Sequence, residues 1–156
     1  MPDPIKQPKN AEIKAENAKV TLAWKETFGK DRTSSFSYAQ KFIDSECIRL
    51  MVPYTPARNN ILYKSPTLGT KIGSGRIYYL NPYARYQYYG KLMVSSLTGS
   101  AYATHGEKKV LTDKNLTYDT TRHPQATSFW FEHMKAEKKE VILRGAAKIA
   151  GGMPQK

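Results

Sequence analysis

The stretch Arg76-Ile77-Tyr78-Tyr79-Leu80-Asn81-Pro82-Tyr83-Ala84-Arg85-Tyr86-Gln87-Tyr88-Tyr89-Gly90 decides how the chain reads. Ile77 to Leu80 is short, apolar and aromatic, and such side chains pack well on a pleated surface, so a buried strand is predicted. Helix punctuation follows at once. Asn81 suits an N-cap, Pro82 suits the first helical position, where its missing N–H costs nothing, and Gly90 suits the left-handed position that ends a helix. The stretch therefore predicts a strand running into a helix of about two turns. It holds six of the chain's 11 tyrosines. One small core cannot bury that many with every hydroxyl satisfied, so some are expected at a protein–protein contact, where one end of the ring is apolar and the other wet.

Before this stretch, residues 1–9 are rich in proline and lysine and predict a flexible arm that orders only against a partner. Residues 10–152 read as one domain and 153–156 as a tail. A first helix is predicted from about Ala11 to Phe28, with Ile13, Val20, Trp24 and Phe28 on one face, ended by Gly29 and Lys30-Asp31-Arg32. A second helix is capped by Ser34 or Ser35, carries Phe36, Ala39, Ile43, Cys47, Leu50 and Met51 on its apolar face, and stops at Pro53. Short strands follow. Ile61-Leu62-Tyr63 reads as one, Ser65 to Gly69 as a turn-rich connection, and Gly73-Ser74-Gly75 as a hairpin turn between Thr70-Lys71-Ile72 and Arg76 to Leu80. Beyond Gly90, strands are predicted at Leu92-Met93-Val94, Ala101-Tyr102-Ala103, Val110-Leu111 and Leu116-Thr117-Tyr118, forming one or two projecting hairpins. A long helix then runs from Pro124 to about Ala150, burying Trp130, Met134, Val141 and Ile149, with Gly151, Gly152 and Pro154 ending it. The expected class is α+β: a small, mostly antiparallel sheet with projecting hairpins, packed by N-terminal helices and a long C-terminal helix.

The 156 residues carry a net charge of +12 from 25 basic and 13 acidic side chains. Residues 54–122 account for +7 of it, against +2 before and +3 after. A basic middle points to nucleic acid or an acidic protein surface, while a solvated lysine-rich face is the plainer account. The mean hydropathy of −0.62 predicts a soluble chain with polar termini. No apolar run approaches the roughly 18 residues of a membrane span, and the first residues lack the apolar segment of a secretion signal, which favours synthesis in the cytoplasm. The single Cys47 excludes an intrachain disulfide framework and reads as a small core residue.

Catalytic constellations are missing. His105, His123 and His133 lack metal-ligand spacing and read as surface or capping residues. The cluster Gly69 to Gly75 leads into a predicted strand and lacks the Gly-Lys-Ser/Thr of a phosphate loop. Glu107, Asp113 and Asp119 read as parts of a solvated charged loop beside Lys108, Lys109 and Lys114. No enzyme, cofactor or metal is therefore expected. Basic and aromatic residues do alternate through Arg76, Tyr79, Tyr83, Arg85, Tyr86 and Lys91, which suits nucleic acid or an oligomer interface.

A set of pieces, taken in order, resembles the minor capsid or head–tail joining (neck, tail-completion type) proteins of tailed bacteriophages, most of all those of Firmicutes phages. The pieces are Val52-Pro53-Tyr54-Thr55-Pro56, Ile77 through Val94, Thr98-Gly99-Ser100-Ala101, Lys108 through Tyr118, and His123 through Glu132. The likeness spans roughly Ile48 to Lys139; Ala57-Arg58-Asn59-Asn60-Ile61-Leu62 departs from it, standing where family members often have an Asp-Thr-Gly-x-Leu-like turn. The resemblance implies a non-enzymatic virion part, a ring of six copies in the neck, assembled in the bacterial cytoplasm. Its neighbours would be a portal-side adaptor or head-closure protein and tail terminator or tube proteins, with genome duplex DNA in the channel. Under it, Tyr79, Tyr83, Tyr86, Tyr88 and Tyr89 make subunit or ring contacts and Trp130 anchors the last helix. Arg76, Arg85, Lys91, Lys108, Lys109 and Lys114 face DNA or an acidic neighbour. The other reading is a basic nucleic-acid-binding domain that acts outside a virion.

Overall fold

A computed structural model describes residues 3–151. Met1 and Pro2 of the expected arm, and Gly152, Pro154 and the 153–156 tail, lie outside the described residues. The chain is α+β. In order it forms strands β1 (Ala11–Ala15) and β2 (Ala18–Leu22), helix α1 (Phe28–Met51), a 3-10 turn (Val52–Tyr54), helices α2 (Ile61–Gly69) and α3 (Ala84–Tyr89), strands β3 (Lys91–Ser95) and β4 (Lys109–Asn115), and helix α4 (Trp130–Ile149). The strands form two separate antiparallel pairs, β1 with β2 and β3 with β4.

The predicted first helix is a hairpin. Ala11, Ile13 and Ala15 alternate with Glu12 and Lys14, and Ala18, Val20 and Leu22 with Lys19 and Thr21, a period of two that the stripe through Ile13, Val20, Trp24 and Phe28 concealed. Ile5 and Gln7, within the stretch 1–9 expected as a loose arm, are bonded to the start of α1. Ile5 N–H donates to Thr33 Oγ1 (2.9 Å), and the Gln7 amide bridges the Lys25 carbonyl and the Gly29 N–H (both 2.9 Å). Gly29 makes this possible, because a Cβ there would sit 2.7 Å from the Ile5 carbonyl oxygen. Helix α1 thus begins at Phe28 and absorbs the Gly29 to Arg32 stretch expected to separate two helices. Pro53 ends it as expected, with the chain tightening into the 3-10 turn.

Helices α1 and α4 pack against each other. Gly145 brings them close, since a Cβ there would lie 2.4 Å from Phe42 Cζ, and Arg32 Nη1 donates to the Ala150 carbonyl (2.9 Å), where a cation suits the helix's negative end. The core between them holds Cys47, Met51, Tyr54, Leu62, Ala84, Trp130, Met134 and Ile142. Helix α4 starts at Trp130, six residues after Pro124, and buries Trp130, Met134, Ile142 and Ala146, while Val141 and Ile149 are exposed. The expected face was turned by one residue at Val141. An i, i+4 ladder places Ile142 inward.

Residues 61–63, expected as a strand, open α2. Its buried residues Leu62, Ser65 and Pro66 recur at three and one, the spacing of a helix face, and the helix holds although Pro66 leaves the Leu62 carbonyl without its partner. Residues 76–80 keep the alternation expected of a strand, Ile77 and Tyr79 half-buried and Tyr78 and Leu80 exposed, but pair with no other strand. Side-chain hydroxyls take the place of a ladder: Tyr78 N–H donates to Thr70 Oγ1 (3.0 Å) and Leu80 N–H to Ser65 Oγ (2.7 Å). Of the later strands, Leu92 to Val94 and Val110-Leu111 lie in β3 and β4, while residues 101–103 and 116–118 are not in strands. One hairpin results, not two.

Candidate assembly interface

The stretch from Asn81 to Gly90 positions the site. Asn81 and Pro82 do not cap the helix as predicted: the Ala84 N–H donates to the Asn81 carbonyl (3.0 Å), a turn with proline at its second position, and α3 begins two residues later behind Tyr83. Gly90 ends α3 as predicted, at φ 67, with its N–H on the Tyr86 carbonyl (3.0 Å). A Cβ at Gly90 would also meet Ser128 Cβ at 2.9 Å and the Tyr118 hydroxyl at 3.0 Å. The Gly90 carbonyl accepts from Leu116 N–H (2.8 Å), so the helix end is tied to the outgoing hairpin.

The five candidate tyrosines divide into two groups. Tyr79, Tyr83 and Tyr88 pack on the core. Tyr88 meets Trp130 edge-on at 4.7 Å between ring centroids and Phe129 at 5.4 Å, and Tyr79 meets Trp130 at 5.5 Å. Burial and the Glu132 carboxylate that accepts the Tyr88 hydroxyl push its pKa far up. Burial also raises Tyr79, with Thr55 and Trp130 pulling it partway back, although Trp130 Nε1 lies outside hydrogen-bond geometry and has no partner among the described residues. Tyr89 is exposed, and Tyr86 is half-buried outside the core cluster. Together with Arg85, Met93, Lys109 and Leu111 they line a groove of about 470 Å³ between α3 and the β3–β4 hairpin.

Among the basic candidates, Arg85 and Lys109 therefore converge on the groove. Lys109 Nζ also donates to the Ala101 carbonyl (2.6 Å), and Lys91 Nζ to Asn115 Oδ1 (2.7 Å), which ties both to the hairpin. Lys108 and Lys114 are exposed on the same hairpin, and Arg76 lies apart with Lys71 and Tyr78. None of these six cations forms a salt bridge among the described residues, so their charge is available to an anionic partner. Trp130, expected to anchor the last helix to a sheet, is 1% exposed and packs instead on Tyr79, Tyr88 and the core between α1 and α4.

No protein family model, curated protein or solved structure matches the chain. The geometry alone must then say what the site can do. Two tyrosine rings, two apolar side chains and two unpaired cations in one open groove can hold a protein segment of mixed apolar and acidic character.

One residue important to this region escaped the sequence. Asp44 is 3% exposed on α1 and its carboxylate accepts from Gly73 N–H (2.7 Å), Gly75 N–H (3.1 Å) and Gln40 Nε2 (2.7 Å). The glycine cluster cradles an internal carboxylate, and the turn it makes is pinned to α1 without flanking strands. An acidic residue on the apolar stripe of a helix, four residues after Gln40, was the signal available. Asp44 also lines, with Asn81 and Trp130, a cavity of about 600 Å³ between α1 and α3. Asn81 Oδ1 is buried there without a partner among the described residues. His123 Nδ1 lies 2.7 Å from the Thr55 carbonyl oxygen and its ring packs on Tyr63. Glu107, read as solvated, organises the hairpin loop by accepting from Ser95 Oγ and the Thr104 N–H (2.9 Å). Among the described residues no cluster of histidine, cysteine or acidic groups could hold a metal, and no helix is long and apolar enough to cross a membrane.

Proposed function

We propose that this protein is a structural, non-enzymatic part of a tailed-bacteriophage virion, a subunit of the neck ring that joins the DNA-filled head to the tail. The observation that carries an assembly role is the groove of Arg85, Tyr86, Tyr89, Met93, Lys109 and Leu111. Its aromatic and basic composition is that of a protein contact, and it sits beside a hairpin whose Leu97 and Tyr102 are more than four-fifths exposed. The ordered motifs from Val52 to Glu132 narrow that role to the neck. A head-to-tail ring of six uses two different patches of each subunit, with a portal-side adaptor or head-closure ring on one side and tail terminator or tube proteins on the other. The unpaired cations serve an acidic neighbour or the genome duplex, where phosphate contacts need no sequence readout.

The test is the composition of particles from the same source. The protein is expected in complete virions in a small fixed copy number, and Tyr89→Ala is expected to leave a folded chain while heads and tails accumulate unjoined. Absence from particles overturns the proposal. A basic domain acting outside the virion would then be the better reading.

A further inference from the structure

The β1–β2 hairpin takes no part in the proposed site. Its register pairs Ala11 with Leu22, Ile13 with Val20 and Ala15 with Ala18, so all six side chains point to one face. Glu12 occupies the other, paired with Lys14 (3.4 Å) and Lys19 (2.8 Å). Every strand residue is exposed, Ile13 by 70% and Val20 by 63%. An isolated two-stranded hairpin is marginal in water, yet the root of this one is clamped. The Trp24 N–H donates to Asn10 Oδ1 (2.9 Å), and the Gln7 bonds hold the incoming chain to α1. A rigid root with an uncovered apolar face is the form of a docking arm.

Charge selects the occupant. Residues 11–22 contain two lysines and two glutamates and are neutral in a chain of +12, so they offer nucleic acid nothing and give an acidic partner no preference. They are also where another copy can approach with least repulsion. The chain supplies a matching surface: Leu68 is 82% exposed, Leu80 66% and Tyr78 48%. Leu68 stands in the last turn of α2 next to Gly69, whose Cβ position is 2.8 Å from Leu80 Cγ and 2.9 Å from the Tyr78 carbonyl oxygen.

We infer that the hairpin's apolar face docks on the Leu68, Tyr78 and Leu80 patch of a second copy of this chain, head to tail. The contact rests on the self-assembling half of the proposed function and names its surfaces. Six mostly small side chains fall short of the roughly 800 Å² per partner of a stable pair, so the contact is weak singly and adds up around a closed assembly.

Sedimentation of the full chain tests it through complementation. Wild type is expected to self-associate in a concentration-dependent way, more strongly as salt screens the +12 charge. Ile13→Lys/Val20→Lys (arm spoiled) and Leu68→Lys (patch spoiled) should each weaken association at least tenfold. Mixed one to one they should form dimers and nothing larger, since one intact arm then meets one intact patch. A strictly monomeric wild type, unimpaired association of Leu68→Lys, or a mixture that stays monomeric each overturns the inference. None of these outcomes decides the neck role, which particle composition tests separately.

Discussion

At the scale of single residues, two positions carry clear energetic consequences. Gly90 is needed twice over, for its left-handed φ of 67 and for the contact with Ser128. Gly90→Ala is expected to cost about 1–3 kcal/mol, read as a lower urea midpoint at unchanged slope. Tyr54 is buried, and the hydrogen bond to Glu137 (2.7 Å), with burial behind it, pushes its pKa up to about 12. The fold thus prefers the neutral phenol, so this contribution is whole below the ordinary tyrosine pKa of about 10 and is lost as pH rises towards 12. Denaturation midpoints should fall across that window, and Tyr54→Phe should flatten the fall. Cys47 shows the same principle in milder form: burial, then Asp44 and Glu46, raise its thiol, in keeping with the core role read from its position.

At the scale of elements, the C-terminal stops of α1 and α3 were legible, while helix starts and strand pairing were not. Pro53 and Gly90 end their helices where the sequence placed them, because proline and left-handed glycine act on their own backbone. Helix α4 was found, but its face was read one residue off at Val141. Ile142→Ala is therefore expected to cost about 2–4 kcal/mol and Val141→Ala less than about 0.5, compared by thermal or chemical denaturation. Residues 11–22 misled because a two-residue period folded at Glu16-Asn17 also spaces Ile13, Val20 and Trp24 at helical intervals. Residues 76–80 have a strand's alternation without a strand's partner, and only the positions of Ser65 and Thr70 decide that.

At the scale of the whole molecule, the charge excess predicts weak, sequence-independent binding to duplex DNA at low salt. An anisotropy titration should show affinity falling steeply with salt, with Arg85→Ser and Lys109→Ser together lowering the slope by about two if both touch phosphates. Tight, sequence-specific binding at physiological salt would favour the nucleic-acid-binding alternative over the neck. The α+β class, the single cysteine in the core, the basic middle and the C-terminal ends of α1 and α3 were fixed by composition and by residues acting on their own backbone. The tertiary structure decided the rest. It showed which tyrosines face out, since Tyr88 and Tyr89 are adjacent and equally aromatic, and only packing on Trp130 and a bond to Glu132 turn one inward. It also showed that the glycine turn holds Asp44 and that the first apolar pattern is an uncovered hairpin. Burial and hydrogen-bond partners come from residues distant in sequence, and no local pattern contains them.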